Sequence, residues 1–269
     1  MLEYLALTGK FLSESPFIIS LLILGYLGCN RDKFARISVA VFFSVILTCY
    51  LKAVFKYPLP PGMHAGWGFP SGHQSTSIVL WLAMAWEFRS KAVLALGIIA
   101  NGFVAYAMLY YNFHFEKDLF AALGQSLTLL AIYYYTLKVW PRKKEFEAFF
   151  LFGVVGMLLN FYNETPEEWM YHSWRANAAI FGYGLGWGIV YSNKLNFNKS
   201  KMFKIFRSLI GLGGFVGIYY IFDNIHVNTK DSTTAFFQFF LMSLWVSLFT
   251  EQLCRPLNKI FFDDRKKNR

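Results

Sequence analysis

Long apolar runs separated by short polar punctuation dominate this chain. Read at about 20 apolar residues per crossing, with a range of about 17–25, the pattern predicts nine spans. They fall at roughly 15–30, 34–54, 73–88, 92–112, 118–138, 146–162, 175–192, 205–222 and 233–253. The runs are continuous rather than alternating, which predicts helices and not the strands of a barrel. The first, third and sixth are short, and the first read as a re-entrant piece leaves eight crossings. The opening MLEYLALTGKFLSES has no basic stretch and no small-x-small cleavage site. It reads as an interfacial helix leading into the first span.

One polar interval is longer than a turn: KYPLPPGMHAGWGFPSGH, residues 56–73. Pro58, Pro60 and Pro61 forbid regular helix, and Gly62, Gly66 and Gly68 follow. A loop held between rigid helices is the usual place for function. Elsewhere the chain shows no long linker, low-complexity stretch or tandem repeat. GYGLGWG at 182–188 spaces small residues four apart, a helix-packing pattern. No strand precedes it, so it is not a nucleotide loop.

Composition sharpens the class. Only 16% of the 269 residues are charged, against about 25% in soluble domains. Hydrophobic residues make up 56% and aromatics 20%. The expected fold is all-α: one compact polytopic integral membrane bundle of eight or nine helices. Cys29, Cys49 and Cys254 lie in or beside apolar runs without metal or disulfide spacing, and read as small buried hydrophobes.

Charge then orients the bundle. Twenty of the 26 Lys and Arg residues fall in one set of alternate loops and the C-terminal tail. The other side holds Lys10, Lys52, Lys56, Lys117, Arg175, Lys230 and the acidic stretch NETPEE at 163–168. Basic loops are cytoplasmic, which places the N-terminus outside and the C-terminus inside. The net charge of +10 is thereby explained by orientation and anionic headgroups, and nucleic acid is not an expected partner. The Lys- and Asn-rich composition points to a bacterial inner membrane. The spans hold almost no mid-span charge, Glu87 and Glu251 both lying near span ends, which argues against an ion path.

This layout gathers polar residues from four helix ends at the outer face. They are Lys52, Ser71, Gly72, His73, His114 and Asp118. A helix opening at Ser71–Gly72–His73 offers free backbone N–H groups and a positive dipole end to an anion. Gly72 allows close backbone approach. Lys52 supplies a cation, and Lys56 stands one helical turn further on. His114 with Asp118 four residues later matches an oriented nucleophile or base. A second imidazole, His73, can protonate a leaving oxygen. Each motif alone has a plainer alternative: Ser71 as a helix cap, His114 and Asp118 as a chance pair on one helix face.

Together these residues resemble the type-2 phosphatidic acid phosphatase, or lipid phosphate phosphatase, superfamily. Its pattern is K-x6-R-P, P-S-G-H and S-R-x5-H-x3-D, and the likeness covers about residues 34–138. The resemblance implies a six-helix core at 1–163, with motifs within 52–118. Additional helices and a basic tail would fill 164–269. It implies that His114 forms a phosphohistidine, Asp118 orients it and His73 acts as general acid. Lys52, Ser71 and the Gly72 backbone would hold phosphate oxygens, with no metal or other cofactor. The substrate would be a membrane lipid with a phosphate-containing headgroup, taken at the periplasmic or exterior face.

Three residues depart from the pattern, and two of them stand where it has arginine. Leu59 stands at the arginine of the first motif, and Ala107–Met108 at the Ser-Arg of the third. A lost bidentate arginine is not replaced by a point charge, and each charge-assisted hydrogen bond contributes about 1.5–3 kcal/mol. Three readings follow. Lys56, Lys117 or Arg175 substitutes; the substrate is a phosphodiester with one negative charge; or the protein binds or moves lipid without chemistry. Keeping both His and the Asp favours retained chemistry. His64, Trp67 and Phe69 read as loop and belt residues, and Glu164, Glu167 and Glu168 as a solvated acidic loop. His172 and Arg175 read as boundary anchors. Asp223, His226 and Asp231 have no ligand spacing.

Overall fold

The computed structural model describes residues 2–63, 66–141, 144–163, 167–192, 201–225, 228 and 231–258. His64, Glu164 and His226 lie outside these residues, as does the basic tail from 259 onward. Eleven α-helices follow one another among the described residues: α1 Leu2–Ser13, α2 Ser15–Leu24, α3 Arg31–Phe55, α4 Gly72–Phe88, α5 Lys91–Tyr110, α6 Glu116–Val139, α7 Glu145–Phe161, α8 Glu167–Ser192, α9 Lys201–Asn224, α10 Ser232–Leu244 and α11 Thr250–Asn258. Single π-turns at Gly25–Cys29 and Trp245–Phe249 extend α2 and join α10 to α11. No strand occurs among the described residues, only one antiparallel bridge, Pro58 to Trp67, inside the long loop.

Polar residues at the ends of the apolar runs set the helix starts. Asn30, Ser90 and Asp231 each accept the backbone N–H three residues on, at 3.0, 3.3 and 2.9 Å. Asp118, in the first turn of α6, reaches back to accept the Phe115 N–H at 3.0 Å. The α3 C-terminus closes on Lys56, which takes the left-handed conformation at φ 48°. α1 and α2 meet at a 55° bend, which is the short helix leading into the first span that the sequence predicts.

The chain is an all-α, polytopic membrane bundle. α3, α5, α6, α9 and the continuous stretch Ser232–Pro256 are each long and apolar enough to cross a membrane, and the bent α1–α2 pair adds a sixth. That is fewer than the eight or nine crossings expected from the apolar runs. α4 and α7 have only 17 residues each, at the lower limit of about 17 for a span. α8 has 26 but interrupts its apolar face with Ser173, Arg175 and Asn177.

From α3 to α7 the helices alternate in direction: the α3 start meets the α4 end and the α7 start, and the α4 start meets the α6 start. One apolar core threads the bundle, with Leu22 and Tyr26, Ile37 and Ile46, Tyr133, Phe149, Ile180 and Trp187, and Val246 in one cluster. Residues from both 1–163 and 164–269 build it. Small residues let α8 and α10 touch: a side chain on Gly182 or Gly186 would collide with Ser243 or Ser247. Ser247 Oγ donates to the Gly182 carbonyl at 3.0 Å across that contact.

Candidate active site

Four helix ends and the 56–71 loop enclose the polar cluster. The Ser71 N–H donates to the Asp118 carbonyl at 3.1 Å, which ties the start of α4 to the start of α6. Ser71 is fully buried, and its hydroxyl accepts the Gln74 N–H at 3.5 Å, a weak cap. One turn below, Gln125 Nε2 donates to Thr48 Oγ1 at 2.7 Å and joins α6 to α3. The Ser75 and Ser126 hydroxyls meet at 3.1 Å between α4 and α6. These bonds fix the relative depth of the three helices that carry Lys52, His73 and Asp118.

His114 sits in the turn between α5 and α6, 6% exposed, its backbone N–H on the Met108 carbonyl at 3.3 Å. Its Nδ1 lies 3.3 Å from Asp118 Oδ2. That is long for a hydrogen bond, as unliganded catalytic contacts often are. Asp118 is fully buried, and its other oxygen, Oδ1, has no hydrogen-bond partner among the described residues. Burial first, then the positive fields of Lys52 and His73, push the His114 imidazole down to about 3, against a hydrogen bond to the Gly68 backbone. His114 is therefore neutral at physiological pH. With its proton on Nδ1 toward Asp118, the ring presents Nε2 as its basic nitrogen.

The remaining predicted residues fall into two groups. Lys52 is half-buried, and its charge reaches Asp118, His114 and His73. His73 is exposed at the first turn of α4. Lys56 is exposed on the left-handed turn beyond α3. A Cβ on Gly72 would meet only Thr48 Cγ2 at 3.7 Å, an ordinary contact, so packing within the chain does not demand glycine there. Gly68 is the tighter position. A Cβ there would lie 3.4 Å from Asp118 Oδ2 and 3.3 Å from Leu59 Cδ2. This glycine lets the loop backbone close over the His114–Asp118 pair.

The two positions without arginine are filled by packing. Met108 is fully buried in an apolar cluster with Val104 and Ala107, against Leu12 of α1. Gly9 of α1 sits directly on the Phe103 backbone, with Ala107 Cβ 3.0 Å from where its own Cβ would be. The small Ala107 and the apolar Met108 thus form the seat of α1. Leu59 packs on Gly68. Of the cations considered as substitutes, Lys117 stands 3.4 Å above the Tyr57 ring. Arg175 stacks on Tyr171 and Phe239 at 4.8 and 5.1 Å, on the α10 side of α8.

The structure adds three residues. Lys10 and Glu14, at the α1–α2 bend, lie near enough for their charges to act on His73. Lys10 Nζ also stands 5.8 Å from the Phe113 ring, beside His114. His172, read from sequence as an anchor, feels the charges of Arg175, His73 and Lys52. No spacing signal marks Lys10 or Glu14, because α1 reaches the site only by folding back on α5. Among the described residues no three His, Cys, Asp or Glu side chains group as metal ligands would.

Residues 174–256, from the first turns of α8 to α11, match the family model described as PAP2 superfamily phosphatase, transmembrane extension. The match lies wholly outside the His73, His114 and Asp118 motifs, so the two likenesses cover different parts of one chain. No curated protein and no solved structure matches it.

Proposed function

We propose, from the membership of the PAP2 phosphatase superfamily that the extension match supports, that this membrane protein cleaves a lipid-linked phosphate ester. His114 Nε2 attacks phosphorus, and the bond from phosphorus to the leaving oxygen breaks. His73 gives that oxygen its proton. Water then attacks the phosphohistidine, passes a proton to His73, and releases phosphate and free His114. In a transferase the acceptor hydroxyl takes the place of water. Lys52, Lys56, Ser71 and the Gly72 backbone hold the phosphoryl oxygens at the start of α4. The Lys and Arg bias of the loops supports a site on the extracytoplasmic side.

The observation that carries this reading is the buried pair of His114 Nδ1 and Asp118 Oδ2, with one carboxylate oxygen left unpartnered. A buried acceptor without a partner costs about 1–3 kcal/mol. Such a cost is expected where the group works on a ligand rather than on the fold. A second reading rests on Met108 and Leu59. Where the motif has arginines, apolar packing leaves fewer cations, which suits a phosphodiester with a single negative charge.

Purified full-length protein in detergent, given a panel of lipid phosphomonoesters and phosphodiesters, tests both. The expected result is release of phosphate or headgroup that vanishes in His114→Ala. A preference for diesters selects the second reading. Equal silence of wild type and variant across the panel overturns both in favour of lipid binding without chemistry.

A further inference from the structure

At the end of the bundle opposite the candidate site, a cavity of about 1290 Å³ opens between α4, α5 and α6. It exceeds the roughly 300–1,000 Å³ of small-molecule pockets. α5 and α6 both pack on α4, and the gap lies between them. The walls are apolar, with Leu82, Leu94, Leu130 and Ala131. Leu130 lies two helical turns from Lys138 along α6, a depth of about 12 Å at 1.5 Å per residue. The Trp86 and Tyr134 rings pair at 5.3 Å on one side.

The polar edge is strongly asymmetric. Lys33, Arg36, Arg89, Lys91 and Lys138 line it against only Glu87 and Glu145. Both carboxylates are already taken. Arg36 holds Glu87 through two hydrogen bonds at 2.8 and 2.9 Å and Glu145 through one at 3.1 Å. Lys33 Nζ stands 4.6 Å above the Phe88 ring. Arg89, Lys91 and Lys138 are exposed and meet no carboxylate among the described residues. The Trp140 indole N–H, also on this lining, is buried without a partner among those residues. Orientation bias accounts for basic loops. It does not account for an open apolar groove with a cationic rim and a buried donor unpaired among the described residues.

We infer that this cavity binds an anionic phospholipid, its phosphate headgroup among Arg89, Lys91 and Lys138 and its acyl chains between α5 and α6. Apolar depth below a cationic rim complements one amphiphile class, and the three free cations favour a headgroup of net negative charge. The site is separate from the His114–Asp118 cluster and is independent of the proposed reaction.

Native mass spectrometry of the purified full chain tests this, with phosphatidylglycerol and phosphatidylcholine of the same acyl chains added in turn. Retention of phosphatidylglycerol over phosphatidylcholine by about tenfold is expected from attraction at each basic residue. Arg89→Ala/Lys91→Ala/Lys138→Ala erases that preference, and these exposed positions carry no core packing. Ala131→Trp fills the recess without touching charge and lowers retention of phosphatidylglycerol as well. Lys201→Ala/Lys204→Ala, on α9 away from the cavity, leaves the preference intact. Equal retention of the two lipids overturns the inference, as does an unchanged preference in the triple variant. A loss of preference in the α9 variant, or a lipid-free dimer, does so too.

Discussion

The buried polar clusters at the two ends of the bundle use ionisable residues in opposite ways. At the α3 start, Arg36 is held by Glu87 and Glu145 at 2.8 to 3.1 Å, and Tyr133 donates to its carbonyl at 2.8 Å. Nearby, Arg207 donates to both oxygens of the fully buried Glu251 at 3.0 and 3.1 Å and also to the Leu27 carbonyl. At the other end, among the described residues, the cluster's side-chain contact is the long His114–Asp118 hydrogen bond at 3.3 Å. Lys52 acts there through its field, and Asp118 keeps an unpartnered oxygen. Paired charges cross-link α3, α4 and α7, and α2, α9 and α11. Incompletely paired charges are left available to a ligand. The difference teaches which polar cluster to read as structure and which as a site.

The sharpest way to break that contrast is to remove His114. His114→Ala should abolish turnover, and His73→Ala should lower it by about 10²–10⁴, the usual contribution of a general acid. His73→Ala, at an exposed position, should melt within about 1 kcal/mol of wild type, and His114→Ala should cost about 1–3 kcal/mol, because it takes one long hydrogen bond from the buried Asp118. Lipid-phosphate release measured beside thermal unfolding in detergent separates the two effects. Comparable destabilisation by His114→Ala and by loss of Arg36 would erase the distinction between the ends.

Arg36→Ala is the mirror experiment. Removing one partner of a buried pair leaves its carboxylates uncompensated and costs about 3–5 kcal/mol. The melting transition should fall steeply, while KM of whatever protein remains folded should stay unchanged. A variant that melts normally but loses turnover would move this cluster into the site.

The two arginine-less positions sharpen the comparison within the site end. Met108→Arg drives a cation into the apolar seat of α1 beside Leu12, and should destabilise by several kcal/mol or detach α1, on the order of the cost of an unpaired buried charge. Leu59→Arg starts from a half-buried loop position beside Gly68 and Asp118. It should fold, and should raise turnover of phosphomonoesters relative to phosphodiesters. If both substitutions behave alike, the packing explanation for the missing arginines fails.

The smallest expected effect is on pH dependence. An imidazole with its ordinary value of 6.5 is held at about 3 in the fold. The unfolded chain therefore takes up a proton that the folded chain refuses. Stability is full above about 6.5 and is lost as pH falls from there toward about 3. His114→Gln should melt less steeply with acid than wild type between about pH 7 and pH 5 in detergent. Equal acid sensitivity in both would mean that His114 is not held neutral.

Much of this was legible in one dimension. Apolar runs longer than a soluble core needs read directly as membrane helices, because the bilayer leaves a backbone little alternative to helix. The cap at Ser71 read from residue type, whereas those at Asn30, Ser90 and Asp231 came with the structure. The meeting of His73, His114 and Asp118 followed from counting crossings, since antiparallel helices must bring alternate ends together. Fewer helices pass as spans than the runs suggest, because α4 and α7 are barely long enough and α8 carries polar residues through its first half.

What the sequence determined alone was therefore periodic or local: the all-α membrane class, the helix starts, the broken 56–71 loop, and the spacing that sets His114 one turn before Asp118. The tertiary structure decided what depends on contact between distant segments. It seated α1 on Ala107 and Met108, brought Lys10, Glu14 and His172 to the cluster, and made Gly68 the tight glycine. It also paired Arg36 with Glu87 and Glu145 and opened the basic cavity between α5 and α6. Spacing reports on residues that share a helix, whereas the pairing of charges and the filling of gaps depend on which helix faces meet, and at what depth.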